Sequence, residues 1–227
     1  MKTDISISRN SRRSFTLHQW MLLASGFSVL LLAVRMIVTG TIEFCFLPWN
    51  LFLAYLPYGI TRLMERRIDW LENRWKLAGL LCLWLLFVPN SFYIITDLFH
   101  FTHVRSAPKW FDLLLIFSFA WNGIFFGIVS LRRVEQFTNL VCGPRYSLLL
   151  IFIVMWLNAL GIYIGRYLRF NSWDIVTDPV NLLSEISDLL INPLDNWYAW
   201  GMTGTYAVFM SLLYLSIRKM GETFRLE

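Results

Sequence analysis

Six runs of about twenty mostly apolar residues recur along the chain, at 17–38, 44–61, 77–96, 110–131, 146–168 and 197–217. A helix of that length covers about 30 Å, the depth of a bilayer's hydrocarbon core, and a backbone in lipid must satisfy its own hydrogen bonds. The expected fold is therefore all-α: a polytopic membrane bundle of six transmembrane helices. Composition agrees, with 57% hydrophobic, 17% aromatic and only 15% charged residues among 227. A soluble core of this size does not hide so much apolar surface. The first run is longer than the apolar part of a signal peptide and has no clear small-x-small cleavage site, so it reads as a retained span. The second is short and carries Pro48 and Pro57 with Asn50 between them, which a membrane helix tolerates when neighbours satisfy the freed carbonyls.

Charge orients the bundle. Segments 1–16, 62–76, 132–145 and 218–227 hold 4, 5, 3 and 3 of the 20 lysines and arginines. The rest are Arg35, Arg105, Lys109, Arg166 and Arg169. By the positive-inside rule those four segments face the cytoplasm, so the tails at 1–16 and 218–227 enclose one membrane domain over 17–217. The same rule accounts for the net charge of +5 and argues against nucleic acid as a partner, since no basic stripe stands apart from the spans. Cys45, Cys82 and Cys142 have neither disulfide nor metal spacing and read as lone buried thiols.

The only long outer loop, 171–196, contains Asp178 and Pro179 as a helix start, an apolar face from Val180 to Leu190, and Pro193 as a stop. This predicts an amphipathic surface helix over about 179–191, which either anchors the loop or covers a site. Gly123–Gly127 and Gly161–Gly165 are small residues one turn apart and predict close helix packing. No internal repeat is visible, which weakens an inverted-repeat transporter reading.

Polar residues concentrate in the stretch FVPNSFYIITDLFHFTH, residues 87–103. Asn90, Tyr93, Asp97 and His100 are spaced three, four and three apart and share one face of an α-helix, with Pro89 as a kink point. Glu43, Asp112, Arg166, Arg169, Asn171, Trp173 and Asp174 fall on the same outer side, while Asn50, Asn122 and Asn158 lie deeper, and ionisable groups in a membrane point to a functional site. A metal reading uses Asp97 and His100, with His103 and Glu43, Asp112 or Asp174 completing the shell; the steps of three drift about 60° around a helix, so these groups equally well lock the fold. An anion reading uses Arg166 and Arg169, with salt bridges to Asp97, Asp112 and Asp174 as the alternative; Arg35 can likewise pair with Glu43. Ser91 and Ser172 lack a supporting His and acid.

Three function classes remain. The first is an envelope enzyme at the outer face acting on a lipid-linked or anionic substrate. In it Asp97, His100, Asp112 and Asp174 supply acid–base or metal chemistry, and Asn50, Asn90, Tyr93, Arg166, Arg169, Asn171 and Trp173 bind substrate. The second is a small-solute or ion transporter with Asn50, Asn90 and Asn122 lining a polar path. The third is a non-catalytic assembly or scaffold protein in contact with membrane lipids. The cofactor, including the identity of any metal, is left open.

The segments FVPNSFYIITDLFHF, WFDLLLIFSFAWNGIFFGIVSL, GIYIGRYLRFNSWD and WNLFLAYLP together resemble a bacterial membrane-protein family catalogued as domain of unknown function 1361. Pro89, Asn90, Tyr93, Thr96, Asp97, His100, Asp112, Gly165, Arg166, Arg169, Asn171, Ser172, Trp173 and Asp174 match its pattern, and Phe92 stands where that pattern often has a second proline. The resemblance implies a multi-pass protein of the bacterial inner membrane and no particular activity.

Overall fold

The computed structural model describes residues 15–67, 70, 73–102 and 107–223. His103, Arg105 and nearly all of the 1–16 tail lie outside the described residues. Among the described residues there are helices and no strands. We label the helices α1 (Leu17–Thr39), α2 (Leu47–Arg66), α3 (Arg74–Tyr93), α4 (Lys109–Cys142), α5 (Pro144–Arg166), α6 (Asp174–Thr177), α7 (Pro179–Ile191) and α8 (Trp197–Thr223). A 3-10 segment, Ile94–Thr102, continues α3. Four stretches are long and apolar enough to cross a membrane: Leu17–Thr39, Arg74–Phe101, Lys109–Cys142 and Pro144–Arg166.

Local chemistry sets the ends. Thr16 and Gln19 form a reciprocal capping box at the start of α1, and Gly40 closes it with φ 66°, a left-handed conformation that suits glycine. The Asn73 side chain caps α3 by accepting from the backbone N–H groups of Trp75 and Lys76. Pro48 and Pro144 occupy first-turn positions of α2 and α5, where no backbone donor is needed.

Two elements differ from expectation. The stripe Asn90–Tyr93–Asp97–His100 does not run down one α-helix, because α3 ends at Tyr93. The Thr96 hydroxyl donates to the Tyr93 carbonyl at 2.7 Å, a carbonyl that a continuing helix would offer to Asp97. The backbone tightens to three residues per turn, so Asp97 and His100 fall in line with Ile94 rather than with Asn90. The second difference is 132–145, expected as a loop: α4 runs on to Cys142 and α5 begins at Pro144, with Gly143 at φ 90° between them. Buried Glu135 explains the extension, since it takes Arg132, Arg218 at 3.0 Å and the Tyr214 hydroxyl, tying this part of α4 to α8. The three cysteines are free but exposed on the surface of the bundle, not buried.

The bundle centres on the last turns of α3. A Cβ at Gly123 would stand 2.5 Å from the Ile94 side chain, and one at Gly127 would stand 2.7 Å from that of Ser91. A Cβ at Gly161 would stand 2.9 Å from Pro89, and one at Gly165 would stand 3.3 Å from Tyr93. Both glycine pairs therefore admit the same segment, one from α4 and one from α5. Helix α2 lies against both α3 and α4, α1 against α4, and α8 against α5. One core joins α3, α4, α5 and α8 around Trp84, Val88, Met155 and Met210. The other joins α1, α2, α4 and the 3-10 segment around Leu47, Tyr58, Ile94 and Phe119.

Candidate functional site

At the end of the bundle that carries α7, the fold leaves a cavity of about 280 Å³. Helix α3 forms its back wall, α2 and α5 its sides, residues 170–172 part of its rim, and Leu182 and Ile186 of α7 its roof. The surface helix expected at 179–191 is thus a cover, held by buried Leu182 and Leu189 and by the Trp200 indole N–H, which donates to the Leu189 carbonyl at 3.0 Å. Gly161 and Gly165 matter here beyond packing: without side chains they leave the α5 wall open.

Asn50, Asn90, Tyr93, Asn171 and Ser172 sit toward the loop end, together with the apolar Trp49, Phe170 and Ile175 and the roofing Leu182 and Ile186. Leu53, about one turn farther along α2, and Leu85 and Leu86, about one turn before Asn90, wall the other end. Asn90 donates to the Ser172 hydroxyl at 3.0 Å and to the Phe87 carbonyl at 3.2 Å, and Ser172 in turn donates to the Leu86 carbonyl at 3.4 Å. The loop after α5 is thereby fastened to α3.

Asp97 is 1% exposed and stands behind this wall, accepting a 2.8 Å hydrogen bond from the Asn50 amide. His100 packs its ring 4.9 Å from Phe46, and its Nδ1 meets the Asp97 backbone carbonyl at 3.3 Å. Arg166 reaches the Tyr93 hydroxyl at 3.5 Å and covers the Phe99 ring at 5.3 Å. Among the described residues no carboxylate lies within 4 Å of Arg166 or Arg169. Arg169 is exposed, with φ 63°.

Other expected site residues serve elsewhere. Asp112, 1% exposed, binds Arg35 at 2.7 Å, and Arg35 also reaches Glu43 at 3.0 Å, Thr41 at 3.1 Å and the Phe44 ring at 4.6 Å. The expected Arg35–Glu43 pair is present. Asp112 belongs to this α1–α4 junction and does not line the cavity with Asp97's neighbours. Asp174 accepts from the Asn171 backbone N–H at 2.6 Å and from the Thr177 hydroxyl at 2.7 Å, bonds that hold its carboxyl below the ordinary carboxylate range. It shapes the turn that presents Asn171 and Ser172. Trp173 is 43% exposed and lies outside the lining. Asn122 donates to Ser28 at 2.9 Å between α1 and α4, and Asn158 is fully buried with neither amide atom bonded, so the asparagines do not line one path. Among the described residues no three His, Cys, Asp or Glu side chains cluster as a metal would need.

Sequence reasoning missed Ser172, which it considered only as a nucleophile, and the roofing pair Leu182 and Ile186. The i, i+4 spacing of that pair on the amphipathic helix was the available signal.

A family described as "Protein of unknown function (DUF1361)" matches residues 49–213. That span contains every residue lining the cavity. No curated protein and no solved structure matches the chain.

Proposed function

We propose that this chain, which belongs to the DUF1361 family of proteins of unknown function, is a multi-pass membrane protein that binds an amphiphile in the cavity beneath α7. The observation that carries the reading is the mixed lining: the hydrogen-bonding groups of Asn50, Asn90, Tyr93, Asn171 and Ser172 beneath an apolar roof of Leu182 and Ile186, and leucine side chains toward the middle of the bundle. A ligand with a polar head among the first group and an apolar tail along the leucines matches that lining. Helices α2 and α5 both pack on α3 but not closely on each other among the described residues. In this reading the tail enters from the bilayer between them.

Asp97 acts here as a positioning residue. Its carboxylate fixes the Asn50 amide and does not itself line the cavity. The expected test is photolabelling in nanodiscs with a dodecyl amphiphile carrying a diazirine in its chain. Saturable labels fall on the peptides containing Leu53, Leu85, Leu86 and Ile164, and excess unlabelled amphiphile removes them. Labels spread evenly over the outer faces of α1, α4 and α8, and not competed, would contradict it.

The placement takes six crossings: the four apolar spans, with α2, packed along α3 and α4, and α8, packed along α5, as the other two. Two buried charge clusters, at Asp112 and Glu135, stand 23 residues apart on α4. That is about 35 Å of helix, roughly the hydrocarbon thickness plus its boundaries. With the lysine- and arginine-rich segments cytoplasmic, α7 lies on the outer surface of a cell's cytoplasmic membrane. Impermeant maleimide applied to intact cells is expected to modify a cysteine at Val180 and to spare one at Lys219 in a cysteine-free background. The reverse pattern would sink this topology.

A further inference from the structure

The direction in which each amide points identifies the ligand's head group. We infer that the cavity takes a lipid whose head is an uncharged polyol, a glycerol or a single sugar, and this rests on the amphiphile reading above. The Asn50 amide nitrogen faces the Asp97 carboxylate at 2.8 Å, that of Asn90 the Phe87 carbonyl at 3.2 Å, and that of Asn171 the Asp174 carboxylate at 3.4 Å. A carbonyl and an ionised carboxylate can only accept, so with Asp97 and Asp174 ionised the nitrogen end of each amide is fixed by chemistry. The three amide oxygens accept no hydrogen bond from the described residues.

Asn50 and Asn90 are half-buried and Asn171 is exposed, so these oxygens are open to the cavity and a bound head meets them best with donors. The Tyr93 phenol oxygen is approached by Arg166 at 3.5 Å, which leaves the phenol hydrogen to donate. The head must therefore donate several hydrogen bonds and accept at least one. A phosphate monoester offers many acceptors and at most one partly occupied O–H, too few protons for three oxygens. A trimethylammonium offers no donor, and a primary ammonium would sit beside the Arg166 charge. Hydroxyl groups donate and accept at the same centre, and they carry no charge for Arg166 to repel. At 280 Å³ the cavity lies at the small end of ligand sites, which suits one ring or a glycerol rather than an oligosaccharide.

The test is competition for the diazirine label in phosphatidylcholine nanodiscs, using probes with one common dodecyl chain. These are 1-dodecylglycerol, dodecyl glucoside, dodecyl phosphate and dodecylamine. At least one of the first two is expected to displace the label at a concentration at least fivefold lower than either charged probe, and which of them does so separates glycerol from sugar. Asn90→Leu is expected to erase that preference, and Asn171→Ala, whose side chain lies on an exposed loop and makes only a long 3.4 Å contact, to reduce it several-fold in a folded protein. Equal displacement by all four probes, or stronger displacement by the phosphate or the amine, overturns the polyol inference while leaving the amphiphile site standing. Cavity labelling that no probe displaces overturns both.

Discussion

Asp112→Ala is expected to lower the stability of the protein in nanodiscs by about 3–5 kcal/mol, the range for breaking a buried ion pair from one side. Arg35 and Asp112 are each 1% exposed and joined by two contacts, Nε to Oδ1 at 2.7 Å and Nη2 to Oδ2 at 3.4 Å. Losing the carboxylate leaves Glu43 as the acid that Arg35 still reaches, and the Glu43 side chain is 42% exposed. Glu43→Gln, by the same reasoning, costs at most about 1 kcal/mol, because its half of the network is hydrated and screened. The double change Arg35→Met with Asp112→Leu is expected to recover most of the loss, since no charge is left buried and the volumes are nearly kept. Melting followed by circular dichroism on the four proteins checks this. An Asp112→Ala protein as stable as the parent would mean the pair does not hold α1 on α4.

The second large effect is expected at the glycines of α4. Gly127→Ala places a methyl group 2.7 Å from the Ser91 Cβ and 3.0 Å from the Phe92 ring, and Gly123→Ala places one 2.5 Å from the Ile94 Cγ2. None of these three neighbours can swing away freely. Ser91 donates to the Ala54 carbonyl at 2.8 Å, and Phe92 and Ile94 are buried. Overpacking of this kind costs about 1–3 kcal/mol per site, so the double variant is expected to lose several kcal/mol and, by displacing α3, to lose amphiphile labelling as well. Gly26→Ala is the control, because nothing lies within 4 Å of the added carbon. Thermal melts of the three proteins decide it; a Gly123→Ala, Gly127→Ala protein with unchanged melting and labelling would contradict the close packing of α4 on α3.

What could be read from the sequence follows from the physics of each element. Apolar runs write the helices and their order directly, and the Pro179–Ile191 bounds of α7 follow from a cap, a proline and a helical apolar spacing. The glycine pairs announced close packing, though not that both would admit α3. The ending of α3 was hidden because one hydroxyl, that of Thr96, takes a carbonyl from the helix, and no periodicity records such a capture. The helical continuation to Cys142 was hidden because it depends on Glu135 meeting Tyr214 and Arg218, residues far along the chain. Within the candidate site, Asn50, Asn90, Tyr93 and Asn171 were legible as polar groups in an apolar setting. Asp112 and Asp174 looked equivalent to Asp97 in the sequence, yet each is committed to a different local partner, Arg35 in one case and the Asn171 turn in the other.

A lipid head bound beneath α7 would be visible in a high-resolution density map of the protein extracted with its surrounding membrane lipid. The expected result is elongated density with a compact end among Asn50, Asn90, Tyr93 and Asn171 and a tail leaving between α2 and α5. A cavity holding only separate water-sized peaks, with lipid density confined to the outer faces of the helices, would contradict it.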